Sequence, residues 1–195
     1  MSQVFDRAVS GIALVALAPV FGAVALAVKV DSSGPVFFRQ ERVGLDGKPF
    51  RIHKFRTMVN KKPRINVSAA GDPRVTRVGR FLRKSKLDEL PQLIDVVSGK
   101  MAIVGPRPEV PEYVEQWPTE LRPVILSVRP GITDPASITY RNEAEELAGA
   151  DDPEQYYVDI LLPRKVELYA DYVRNRTFIG DLKLIGQTVI AVIRG

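Results

Sequence analysis

From Ala8 to Val28 the chain runs AVSGIALVALAPVFGAVALAV, 21 residues without a charge. As a helix such a run is about 31 Å long, close to the hydrocarbon thickness of a bilayer, so the sequence places this segment in a membrane. Three arrangements compete: a cleaved signal peptide, a single spanning helix, and a kinked helix that enters and leaves on the same side. The signal peptide fits least well. Asp6 and Arg7 both precede the run, and the run exceeds the roughly 7 to 15 apolar residues of such a segment, although Ala23-Val24-Ala25 resembles a cleavage site. Lys29, Arg39, Arg42 and Lys48 follow the run and keep the remainder cytoplasmic in either other arrangement. Pro19, near its middle, removes a backbone hydrogen bond and crowds the preceding turn, so a kink is expected there. Spanning helices also tolerate proline, and the residues alone leave the spanning and re-entrant forms open.

The chain is therefore read as a membrane-embedded segment, residues 1–30, followed by one catalytic-size domain, residues 31–195. A hydrophobic fraction of 45% with 26% charged residues is that of a folded chain, and a net charge of +5 favours anionic partners. Charge alone does not choose among phosphates, nucleic acid and anionic lipid. The chain has no cysteine, which excludes disulfides and thiolate chemistry, and its single histidine, His53, excludes a His-rich metal site. Carboxylates are left to carry most of any catalysis.

Residues 34–58 read as two extended runs around Asp46-Gly47, a pair suited to a tight hairpin. The hairpin carries Arg39, Arg42, Arg51, Lys54 and Arg56, either as a solvated basic face or as an anion or headgroup site. Residues 60–75 are polar and turn-rich, a mobile surface loop over or beside a site. From Val78 the spacing turns helical, through Leu82, Leu87, Leu90 and Ile94 to a stop at Gly99. A helix holding Tyr113 and Trp117 is expected within residues 109–126, broken by Pro118 and Pro123, then a Gly/Pro-punctuated connection over 128–143 and helical spacing again over 154–173. The closing segment, FIGDLKLIGQTVIAVIRG, either closes the core or lies on the membrane. No P-loop or GxGxxG fingerprint is present.

Asp88 and Glu89 sit where a helix begins, in RKSKLDELPQL. One reading is a helix cap, with Asp88 at the N-cap and Glu89 in the first turn. The other is catalytic, since Arg83, Lys84 and Lys86 precede the pair and Gly105-Pro106-Arg107-Pro108 follows the helix. A carboxylate attacking a diphosphate meets about 4 kcal/mol of repulsion at 4 Å in an effective dielectric near 20, so nearby cations are obligatory. Adjacent Asp and Glu then fit a nucleophile and a Mg²⁺ ligand. Surrounding positive charge is expected to lower the pKa of both.

FFRQERVG, KFRTM, DPRVTRVGRFLRKSKLDELPQL, GPRPE, RPGIT and DLKLI, in this order behind a helix broken at a proline, resemble the monotopic phosphoglycosyl transferases, a family of bacterial sugar transferases. The resemblance implies an α+β, mainly helical fold: a re-entrant N-terminal helix, a β-hairpin and amphipathic interfacial helices around a cytoplasmic-face catalytic core at the inner membrane. It implies transfer of a phosphosugar from a UDP-sugar to polyprenyl (undecaprenyl) phosphate, giving UMP and a polyprenyl diphosphosugar. Kinetics would be ping-pong through an aspartyl-phosphosugar, and the step would initiate glycoconjugate or polysaccharide biosynthesis. On this resemblance Asp88 is the nucleophile, Glu89 the Mg²⁺ ligand, and Lys54, Arg83, Arg107 and Arg141 the phosphate contacts. The implied partners are the UDP-sugar, the polyprenyl phosphate and membrane lipids, with no nucleic acid; self-association into a homo-oligomer stays open. The family breaks its re-entrant helix at Ser-Pro, here Ala18-Pro19, and the chain also departs from the family at Lys86 and at Asp134-Pro135-Ala136.

Overall fold

The computed structural model describes residues 1–59 and 67–194. The uncharged run forms two helices, α1 (Gln3–Ala16) and α2 (Ala18–Asp31), bent by 64°. The break falls at Leu17, just before Pro19 in the first turn of α2, where proline costs no intrahelical hydrogen bond. Among the described residues no single helix is long and apolar enough to cross a membrane, while this bent pair meets that test together. The packing of α1 is inverted. The buried residues of α1 are Asp6 and Ser10, whereas Val4, Ile12 and Val15 are exposed.

β1 (Phe37–Val43) and β2 (Pro49–Phe55) form the expected antiparallel hairpin, with Phe37 opposite Phe55 and Arg39 opposite His53. Its turn places Asp46 at φ 55° and Gly47 at φ 75°, the left-handed pair that motivated the expectation. Val24 and Val28 of α2, Phe55 and Leu82 make one small core, joining the bent helices to the hairpin. Of the expected loop over 60–75, residues 60–66 lie outside the described residues. Beyond them, Met58 and Val75 pair in an isolated bridge that brings the chain back to the end of β2.

The helical spacing after Val78 resolves into α3 (Arg77–Lys84), a 3₁₀ turn (Leu87–Glu89) and α4 (Gln92–Val97), ended by Gly99 at φ 79°. Thr76 caps α3 by accepting from the Gly79 N–H at 3.0 Å. β3 (Ala102–Val104) pairs in parallel with β4 (Gly131–Thr133), a strand within what the sequence presents as connection. Gly105 and Gly131 meet back to back: a Cβ on Gly131 would lie 2.1 Å from the Gly105 nitrogen. The expected helix with Tyr113 and Trp117 is corrected to two short ones, α5 (Pro111–Val114) and α6 (Arg122–Leu126). Trp117 lies between them, and Pro123 starts α6 rather than breaking a helix, because proline suits a first turn.

α7 (Pro135–Thr139), α8 (Glu143–Ala148) and α9 (Pro153–Tyr156) lead through a π-turn (Tyr157–Leu161) into α10 (Leu162–Asn175) and α11 (Phe178–Arg194). Tyr113, Trp117, Leu161, Val166 and Tyr169 centre the main core. α11 closes the core and also leaves an apolar side exposed. Its inner side packs on β3 and β4, where Thr188 shares a 2.6 Å hydroxyl hydrogen bond with Thr133, and its outer side exposes Phe178, Ile179, Val189 and Ile190.

Candidate active site

α3 ends at Ser85, and Lys86 follows in the left-handed region at φ 56°. That reversal swings the chain into the 3₁₀ turn and presents Asp88 and Glu89 to different neighbours. Glu89 is the meeting point of three elements. Its Oε1 accepts from Lys54 Nζ of β2 at 2.8 Å and from Arg107 Nη2, in the loop after β3, at 2.5 Å. Its Oε2 accepts from Arg107 Nη1 at 3.3 Å, so the guanidinium grips the carboxylate with both prongs.

Asp88 is 8% exposed, and its Oδ1 is buried without a hydrogen-bond partner among the described residues. The cap reading fails: α4 begins four residues later, with Pro91 at its N-cap and no side-chain cap hydrogen bond. A bare buried carboxylate oxygen costs about 1–3 kcal/mol unless something binds it, which marks Asp88 as a group kept for a ligand. Arg83 donates to Thr57 Oγ1 at 3.1 Å and Ser68 Oγ at 2.7 Å, fixed on the same side and within the field of Asp88.

The two carboxylates are pushed in opposite directions. Burial and the charge of Glu89 raise the pKa of Asp88, outweighing Lys54, Arg83 and Lys86. Burial alone would also raise Glu89, but Arg107 and Lys54, by charge and hydrogen bonding, hold it well below the usual carboxylate range. The expectation that surrounding cations lower both is therefore corrected for Asp88, where desolvation wins. A pair separated in this way divides its roles: Glu89 stays ionised and orients cations, and Asp88 keeps a more basic, unengaged oxygen.

Of the residues singled out from the sequence, the structure gathers Lys54, Arg83, Asp88, Glu89 and Arg107. It does not bring Arg141 into an ion pair or hydrogen bond with either carboxylate. Its segment is tied in by the Ala70 N–H donating to the Ala144 carbonyl at 2.6 Å and by Glu143, which accepts from Lys165. Asp95 escaped notice: fully buried on α4, it accepts from the His53 N–H at 2.8 Å and pairs with His53 Nδ1 at 2.8 Å, setting β2 one residue before Lys54. Thr57 and Glu109 lie inside KFRTM and GPRPE, where the motifs drew attention only to their cations.

Among the described residues no group of three or more His, Cys, Asp or Glu side chains could hold a metal alone. Mg²⁺ needs less, one or two carboxylates with the rest of its shell from substrate phosphates and water. The lightly engaged Glu89 Oε2 is a hard oxygen donor of that kind, so the residues present fit it.

The α+β core thus sets the Asp88 carboxylate, which has no hydrogen-bond partner among the described residues, beside fixed cations, an arrangement chemically able to attract an anionic ligand. The chain belongs to the bacterial sugar transferase family, whose model matches residues 1–195. It is 40% identical over 189 residues to the UDP-glucose:undecaprenyl-phosphate glucose-1-phosphate transferase of Escherichia coli (strain K12), covering 94% of this chain and 38% of that protein. It is 35% identical over 188 residues to the UDP-N-acetylgalactosamine-undecaprenyl-phosphate N-acetylgalactosaminephosphotransferase of Aeromonas hydrophila, covering 94% and 41%. It is 34% identical over 205 residues to the exopolysaccharide production protein ExoY of Sinorhizobium fredii, covering 96% and 83%. The chain thus spans well under half the length of the first two.

Proposed function

We propose that the chain transfers a sugar-1-phosphate from a UDP-sugar to polyprenyl phosphate, with undecaprenyl phosphate as the acceptor, at the cytoplasmic face of a bacterial inner membrane. The activities of its relatives support the substrate classes. The observation that carries the site is the buried, partnerless Asp88 Oδ1 beside a Glu89 already neutralised by Lys54 and Arg107.

In the first half-reaction Asp88 Oδ1 attacks the phosphorus that bears the sugar. A carboxylate–phosphorus bond forms, the bond to the UMP oxygen breaks, and UMP departs with the electron pair. In the second, an oxygen of the polyprenyl phosphate attacks the same phosphorus and releases Asp88, leaving the polyprenyl diphosphosugar. Arg83 and Arg107 stabilise the charge that collects on the phosphoryl oxygens. Lys54, with its charge shared by Glu89, sets the cationic floor of the site. Glu89 and the diphosphate would hold Mg²⁺, which supplies Lewis-acid neutralisation of the diphosphate. The inverted packing of α1 supports a lipid setting for the bent pair, with Pro19 as its turning point, so that the protein is monotopic and its helices enter and leave on one face.

UMP release by the detergent-solubilised protein from UDP-glucose or UDP-N-acetylgalactosamine, with Mg²⁺ and with or without undecaprenyl phosphate, tests this reading. Multiple turnover that needs the lipid, with no more than one equivalent of UMP released without it, and loss of both in Asp88→Asn is the expected result. Multiple turnover independent of lipid would replace the transferase with a phosphohydrolase.

A further inference from the structure

Beside the site, a lysine that no motif announced binds two of its segments together. Lys165, in the first turns of α10, is 4% exposed. Its Nζ donates to Glu143 Oε2 at 2.9 Å and Tyr157 Oη at 3.1 Å, and lies 3.7 Å from Glu109 Oε1. Tyr157 in turn donates to Glu109 Oε1 at 2.9 Å, and the other Glu109 oxygen accepts from Arg42 at 3.4 Å. The π-turn that begins at Tyr157 falls where Pro163 has no N–H to offer the carbonyl of Asp159. Glu109 stands two residues after Arg107, and Glu143 two after Arg141.

We infer that Lys165 is a positioning residue for the transfer: by satisfying Glu109 it leaves Arg107 committed to Glu89 beside Asp88. The Glu109 side chain is 5% exposed, so it must be paired. Without Lys165 it keeps the Tyr157 hydroxyl and, as its charged partner, only the long Arg42 contact, and Arg107, which already feels the charge of Glu109, is drawn toward it. Arg107 then turns away from Glu89. Glu143 behaves differently because its side chain is 29% exposed and water can serve it. Lys165 therefore acts on the reaction through Glu109 and not through Glu143, an asymmetry that a general contribution to stability would lack.

The kinetic consequence rests on the transferase reading; the geometric one does not. In the lipid-dependent UMP assay, Lys165→Met lowers kcat about a hundredfold, the scale of an ångström-level misplacement. Glu109→Gln in that background restores turnover to the level of Glu109→Gln alone, and Glu143→Gln does not. Full turnover by Lys165→Met, or equal rescue by the two glutamines, overturns the inference. Should Lys165→Met fail to fold, the comparison of Lys165→Met/Glu109→Gln with Glu109→Gln alone decides: equal turnover supports it and a further loss overturns it. A second readout needs no reaction. The Arg107–Glu89 coupling, measured by urea unfolding of Arg107→Met, Glu89→Gln and the pair, disappears in the Lys165→Met/Glu143→Gln background and is retained with Glu109→Gln. Coupling unchanged in both backgrounds overturns the inference even if no UDP-sugar is turned over.

Discussion

At the scale of single residues, Asp88 sets function against stability, and the sign can be worked out. Burial and Glu89 lift its folded-state pKa above the ordinary 3.8. Between those two values the native protein binds more protons than the unfolded chain, so stability falls as pH rises through the window, and above it the full penalty is present. Asp88→Asn is thus expected to stop turnover while stabilising the protein at neutral pH by about 1 kcal/mol. The gain should vanish below 3.8, where both forms are uncharged; thermal melts at the two pH values check it. Glu89 has the opposite sign. Its folded pKa is depressed, so its contribution is present above 4.5 and lost as pH falls through the folded value. Arg107→Met raises that folded value, and acid unfolding should begin at a higher pH than in the wild type. Arg107→Lys keeps the charge but not the two-pronged grip, and a tenfold to hundredfold fall in kcat/KM, about 1.4 to 2.7 kcal/mol, is expected. The pair itself is legible in the sequence because Arg83, Lys84 and Lys86 precede it, although the cations that hold Glu89, Lys54 and Arg107, come from 35 and 18 residues away. The opposite pKa directions are not, because burial decides them and burial belongs to the fold.

At the scale of elements, the site depends on how closely α3 sits against the end of β2. A Cβ on Gly79 would lie 2.1 Å from the Thr57 carbonyl oxygen, a backbone atom that cannot swing aside. Gly79→Ala must therefore push α3 away and take Arg83 off the Thr57 hydroxyl. A loss of about 1–3 kcal/mol is expected from the overpacking, with a fall in turnover larger than that of Thr57→Val, which removes the hydroxyl alone; urea unfolding and the UMP assay separate the two effects. The β1–β2 hairpin could be read from the sequence because its signal, Asp46-Gly47 between extended runs, is local. β3 and β4 could not. Each is three residues long and their pairing is parallel, so neither alternation nor a turn pair marks them, and only the close approach of Gly105 and Gly131 explains those two glycines. Lys165 with Glu109 and Asp95 with His53 were hidden for a related reason: charges that meet across the fold leave no spacing in the chain.

At the scale of the whole molecule, the apolar surface has a direction. Val4, Ile12, Val15, Leu26 and Val30 of the bent pair are exposed, as are Phe178 and Ile179 of α11, and the Phe5 and Phe178 rings meet edge to face at 5.8 Å where α1 adjoins α11. In water this is an expensive arrangement, at about 25 cal/mol per Å² of apolar surface left uncovered; against lipid it is the favourable one. The uncharged run points to a membrane from the sequence alone, and what the sequence leaves open is whether the helix crosses. Two helices of 14 residues each are about 21 Å long, so neither alone reaches across about 30 Å of hydrocarbon; a pair bent by 64° forms either a broken span or, as the monotopic reading proposes, a shallow loop that returns to the face it entered, and labelling decides between them. With Ser2→Cys or Lys29→Cys, a membrane-impermeant thiol reagent should label both positions only from the cytoplasmic side, there being no other cysteine to interfere. Pro19→Ala restores the missing N–H and removes the crowding of the preceding turn, which favours one continuous helix long enough to cross. In that background Ser2→Cys should become reachable from the outside, and UMP release should fall as the helices that frame β2 and α3 shift. External labelling of Ser2→Cys with Pro19 still in place would establish a spanning helix.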